Sequence, residues 1–142
     1  MDPLTALGVV GNVIQIIDFS ARVISRSAEI YGSGGLVGNS ELKRVTVDLL
    51  SFSQNLEKSL GTEPNASPSD AAEQALGKDC QRVASELLFA LEKIKSKNKP
   101  GKWVSFRQAL LTIWKKDQIE ELEKRLDRIR QQLLLRLVSS LR

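Results

Sequence analysis

Apolar residues at Leu7, Val10, Ile14, Ile17, Ala21, Ile24, Ala28 and Tyr31 step by three and four, which is the spacing of one face of an α-helix. Val9, Val13, Ile16 and Val23 form a second stripe beside it. The first half of this segment is therefore apolar around most of its circumference, and such a helix expects to be enclosed. Asp2 and Pro3 suit a capped first turn. The stretch "YGSGGLVGNS" cannot sustain helical backbone cheaply and predicts a loop. Leu42, Val45, Leu49, Phe52, Leu56 and Leu60 then predict a second helix over about 40–60, with Asn39 or Ser40 as its cap.

After the loop "GTEPNASPSD", Ser67 and Pro68 signal the start of a third helix. Leu76, Cys80, Val83, Leu87, Leu91 and Ile94 supply its inner face, Ala84 and Leu88 widen it, and the pattern fades near Lys97. Pro100 and Gly101 break the chain. A short helix follows Trp103, with Phe106, Leu110 and Ile113 or Trp114 facing inward. The chain closes on a long helix whose seam is Ile119, Leu122, Leu126, Ile129, Leu133 and Leu137, with Glu120/Lys124 and Glu121/Arg125 at favourable spacing outside. Four long amphipathic helices and one short one, joined by short loops, bury their stripes best as an all-α antiparallel bundle. Residues 1–142 read as one domain. The ending "SSLR", with no turn signal, is what the N-terminal part of a longer protein would show.

Composition narrows the chemistry. The chain has no His and a single Cys, so it cannot by itself build a Ser-His-Asp triad, a Cys-His pair or a His-containing zinc site. The stretch "GSGG" lacks the Gly-Lys-Ser/Thr of a phosphate loop and has no strand before it. No enzyme and no cofactor are expected. Cys80 reads as a small core residue, and the lack of a disulfide framework makes a reducing, cytoplasmic compartment the default.

The formal charge of +4 hides an asymmetry: residues 1–80 carry a net −4 and residues 81–142 a net +8. Lys93, Lys95, Lys97, Lys99, Lys102, Arg107, Lys115 and Lys116 follow one another without an acid between them. The plain reading is a solvated loop. The functional reading is contact with an anionic surface, since each cation near an anionic leaflet is worth about 1 kcal/mol. Trp103 and Trp114 bracket the short helix and suit either a membrane interface or the closed end of a bundle. No helix-turn-helix, zinc finger or base-stacking motif accompanies the cations, so a specific nucleic-acid partner is not expected. The final Leu134, Leu135 and Val138 exceed a simple seam and suit packing on another domain or another copy.

The uncharged run Leu4–Ile17 is 14 residues long, about 21 Å of helix against a hydrocarbon core of about 30 Å. It is too short for a simple span. Asp2 before it and "DFSARVIS" after it do not fit a signal peptide. Two readings remain: the central helix of the bundle, or a helix central at rest and membrane-active on release. Gly8, Gly11, Asn12 and Gln15 are unusual in a purely structural core and suit close helix contact in lipid. The membrane-active candidates are Leu4, Leu7, Val9, Val10, Val13, Ile14 and Ile17, and burial of Leu7, Val10, Ile14 and Ile17 is expected in the resting fold.

The segments "MDPLTALGVVGNVIQIIDFSARVISRSAEIY", "CQRVASELLFALEKIK" and "KWVSFRQALLTIWKKDQIEELEKRLDRIRQQL" resemble the N-terminal domain of fungal NOD-like STAND proteins, the HeLo-like or SesA-like group. The resemblance covers almost the whole chain. It implies a signalling or cell-death effector that precedes a NACHT or NB-ARC module, some members of the group permeabilising membranes through the N-terminal region; a homo-oligomer on activation is expected, and the cations add contact with anionic membrane lipids. A non-lytic adaptor that recruits a separate effector through helix contacts is the alternative.

Overall fold

A computed structural model of the chain describes residues 3–25, 38–61, 68–96 and 103–140. Among these residues the protein is all-α, with five helices and no strand: α1 (Pro3–Ile24), α2 (Asn39–Ser59), α3 (Pro68–Ser96), α4 (Phe106–Leu110) and α5 (Lys116–Ser140). Four are long and one is short, as the apolar spacing predicts.

The helices start and stop for local reasons. The cap of α2 is Gly38, one residue before the expected Asn39, because the Glu41 carboxylate turns back to accept the Gly38 N–H at 3.0 Å. The backbone N–H of Glu41 itself, and then that of Gly38, hold the Glu41 carboxyl below its usual range. The first helical residue of α3 is Pro68; Ser67 lies outside the described residues. At α4 the Ser105 hydroxyl accepts the Gln108 N–H at 3.1 Å, and the Gln108 side chain accepts the Val104 N–H at 2.7 Å. α1 ends at Ile24, short of the predicted Tyr31, and Ala28 and Tyr31 lie outside the described residues.

Directions follow from paired residues. Asn12 of α1 donates to the Asn55 carbonyl and the Ser59 hydroxyl of α2, and Phe19 meets Phe52 edge to face with ring centroids 5.1 Å apart, so α1 and α2 are antiparallel. Val9 lies beside Gly77, and the carbonyl of Val13 faces the Cys80 thiol, so α1 and α3 run parallel. Arg125 of α5 grips Glu86 of α3 with two bonds of 2.7 and 2.9 Å. α1 packs on all four other helices, while α2 and α5 flank the α1 and α3 pair from opposite sides.

The seams of α3 and α5 are buried as predicted, with Leu88 and Leu137 half-buried at their margins. The outer charge pairs differ from the expectation. Glu120 pairs with Lys116 at 3.8 Å, and Arg125 leaves its own helix for Glu86. In α1 the phase is rotated. Val9, Val13, Ile16, Ile17, Phe19, Val23 and Ile24 are buried, whereas Val10 is half-buried and Ile14 is 45% exposed. The helix is apolar on so many positions that its own pattern leaves the inward face open, and the positions of α2, α3 and α5 select it. Ser20 lies in the buried face with no hydrogen-bond partner for its hydroxyl among the described residues.

Two glycines have opposite settings. A Cβ at Gly77 would come within 2.7 Å of Leu60 Cδ2, whereas one at Gly11 would meet nothing within 4 Å. Gly77 is thus where α3 closes on α2, and Gly11 answers to no packing need in this fold. Gly11→Ala should stabilise the protein by about 0.5 to 1 kcal/mol in urea unfolding, the ordinary helix gain. Gly77→Ala should return less of that gain because Leu60 must turn aside; equal gains would show that α2 and α3 do not approach so closely.

Candidate functional site

The α1 segment divides into an inward face and a narrow outward one. Gly11, Ile14, Gln15, Asp18 and Arg22 line the outward face, with Asp18 and Arg22 joined at 2.9 Å. Of the membrane-active candidates, Val9, Val13 and Ile17 are in the core, Val10 is at its margin, and Ile14 faces water. The side chains of Leu4 and Leu7 lie outside the described residues. No helix among the described residues is long and apolar enough to cross a membrane. The expectation that Ile14 is buried at rest is therefore corrected: its position falls between α1's contacts with the other helices.

The cations separate into three environments. Lys93 and Lys115 are exposed; Lys95 and Lys116 lie 3.7 and 3.8 Å from Glu92 and Glu120. Lys97, Lys99 and Lys102 lie outside the described residues.

Arg107 is the correction. It is only 7% exposed, so it is no surface contact for an anion in this fold. Its guanidinium donates to the Ile24 carbonyl at 2.9 Å and to a Glu123 carboxylate oxygen at 3.0 Å. That carbonyl is one of the unpaired acceptors at the C-terminus of α1, so Arg107 caps α1 from α4 and ties both to α5. The sequence carries a signal for this: Arg107 stands three and seven residues before Leu110 and Trp114, on their helical face.

Trp103 and Trp114 are half-buried and pack against the core, which closes this end of the bundle. Between them Val104, 70% exposed, and Leu111 line a shallow cleft beside Gln108 and Lys116. Apolar side chains and Lys116 thus meet in the cleft at α4, with Trp103, Trp114 and Lys115 flanking the short helix along the chain. No group of His, Cys, Asp or Glu that could hold a metal occurs among the described residues. Cys80 is fully buried, and burial pushes its thiol from an ordinary 9.0 up to about 12.

No family model, curated protein or solved structure matches the chain.

Two outcomes are expected. Arg107→Leu should cost about 2 kcal/mol of unfolding free energy, because bonds to a charged donor are lost and a helix-end carbonyl is left unpaired. Glu123→Gln should cost less than about 1 kcal/mol, since its amide oxygen still accepts and the site is half open to water. Urea unfolding compares the two. The Cys80 thiol should resist alkylation at pH 8 in the folded protein and react on unfolding. Its raised value means that the folded state keeps the proton while the unfolded chain loses it, so this contribution to stability is present below pH 9 and falls as pH rises toward 12.

Proposed function

We propose that this bundle is the N-terminal signalling or cell-death effector domain of a fungal NLR-like STAND receptor, acting by oligomerisation and by membrane targeting or permeabilisation through its N-terminal helix. The resemblance of its three quoted segments suggests the family. The observation that carries the membrane step is the cleft at α4, where exposed Val104 and Leu111 stand beside Lys116, with half-buried Trp103 and Trp114 and exposed Lys115 flanking the short helix along the chain. Such a combination suits the boundary between anionic headgroups and acyl chains. Docking there leaves the core closed.

Permeabilisation asks for more. Seven large apolar side chains of α1 are buried, each worth about 1.5 to 3 kcal/mol. Withdrawing them together costs on the order of the whole 5 to 15 kcal/mol that holds a domain folded. Release of α1 is therefore coupled to opening of the bundle and needs a driving force such as assembly of several copies. The same depth of engagement favours the second reading, an adaptor that keeps α1 enclosed and recruits an effector through its surface.

Ile14 separates the two because it is exposed at rest. Ile14→Asp should leave helicity and unfolding within about 0.5 kcal/mol of the parent. In an inserted helix the same charge costs about 3 kcal/mol near the bilayer centre, so leakage from anionic liposomes should fall at least tenfold. Leakage undiminished by Ile14→Asp would leave α1 as a core helix only and favour the adaptor.

A further inference from the structure

A groove of about 550 Å³ runs between α3 and the first half of α5. The apolar side chains of Phe89, Trp114 and Leu122 line it together with Glu86, Asp117 and Glu121. Phe89 is 73% exposed, the most exposed large apolar side chain among the described residues. Arg125 takes up Glu86, which leaves Asp117 and Glu121 as the net charge of the rim. The other half of α5 has the opposite character. Leu134, Leu135 and Val138 are exposed within about 100° of helix circumference, and Leu135 is 69% exposed. Arg128 and Arg130 are exposed just before them, and Asp127 is the single acid between Lys124 and Val138.

We propose that the groove of one copy receives the α5 ridge of a second copy. The occupant follows from complementarity: an apolar ridge preceded by arginines fits an apolar groove with an acidic rim. Asp117 and Leu135 are 18 residues apart on one straight helix, about 27 Å, so groove and ridge of one chain cannot meet. The contact joins different surfaces of the two copies. The proposed arrangement is head-to-tail, with a groove free at one end and a ridge at the other, so that it propagates into a ring or filament, whereas a reciprocal antiparallel pair would close at the dimer. This deepens the assembly step of the proposed function and rests on it, but not on the membrane step. The patch is small, so association in solution is weak.

Sedimentation velocity on the full 142-residue chain tests the contact. The parent should show a sedimentation coefficient that climbs with concentration past the dimer, and added salt should suppress the climb. Phe89→Asp destroys the groove and Leu135→Asp the ridge; each change is on an exposed side chain and each variant alone should stay monomeric. Mixed together, they retain one good groove and one good ridge, and should form a dimer that grows no further. Nonspecific association would not give that pattern, and a reciprocal symmetric pair would stop the parent at the dimer. Charge reversal checks the same surfaces without touching apolar groups: Asp117→Lys with Glu121→Lys should weaken association at least tenfold, and Arg128→Glu with Arg130→Glu in the partner should restore it. A parent that stays monomeric at about 500 µM, variants that assemble like the parent, or a mixture that remains monomeric would overturn the proposal. Liposome leakage by a chain that fails this test would discard the contact and spare the membrane function; assembly without leakage would do the reverse.

Discussion

Val9, Val13, Ile16, Ile17, Val23 and Ile24 leave water only because α2, α3 and α5 close around α1 from different sides, and the remaining geometry follows from that enclosure. To reach α1 at its N-terminal half, α3 must come close to α2, and it does so at Gly77, where no side chain stands in the way of Leu60. Cys80, one turn on, brings its thiol to the Val13 carbonyl. At the other end of α1 the final carbonyls need partners, and Arg107 supplies one from α4. The short helix is thus a fastening for the long one, with Glu123 of α5 holding the arginine in place.

Polar groups along α1 show what enclosure demands. Asn12 is at the margin of the core, where its amide bridges to Asn55 and Ser59 and ties α1 to α2. Ser20 is deeper and has no such partner among the described residues, a cost of about 1 to 3 kcal/mol that the surrounding apolar contacts override. Gly11 lies on the outward face, in open space. Its presence weakens the helix without improving the packing, which is consistent with a segment selected for more than resting stability.

Charge is distributed along the bundle by the same logic. The surplus of cations after residue 80 is not one surface. One arginine is inside, one grips α3, and lysines gather around α4, while arginines precede the apolar ridge of α5. Acids line the groove between α3 and α5. A chain of modest net charge therefore presents locally opposite surfaces at two ends of one helix, a condition for directional contact between copies.

How much of this was legible in the sequence differs by element. Periodicity alone determined the helical class, the number of elements, the seams of α3 and α5, and the burial of Cys80, because those helices carry charges that leave one apolar face to choose. Pro68 fixed the start of α3 through backbone chemistry that acts within a few residues. Only tertiary structure decided the phase of α1, since a helix apolar on nearly every position offers several inward faces of similar hydrophobic gain, and the one buried depends on where its neighbours lie. It also decided that Arg107 belongs to the core while Lys115 and Lys116 stay outside: all three are cations in the same stretch, and what distinguishes them is the carbonyl and the carboxylate that distant segments bring within 3.0 Å of Arg107. The groove beside Phe89 was hidden for the same reason, because its walls come from residues far apart along the chain and exist only once α3 and α5 lie side by side.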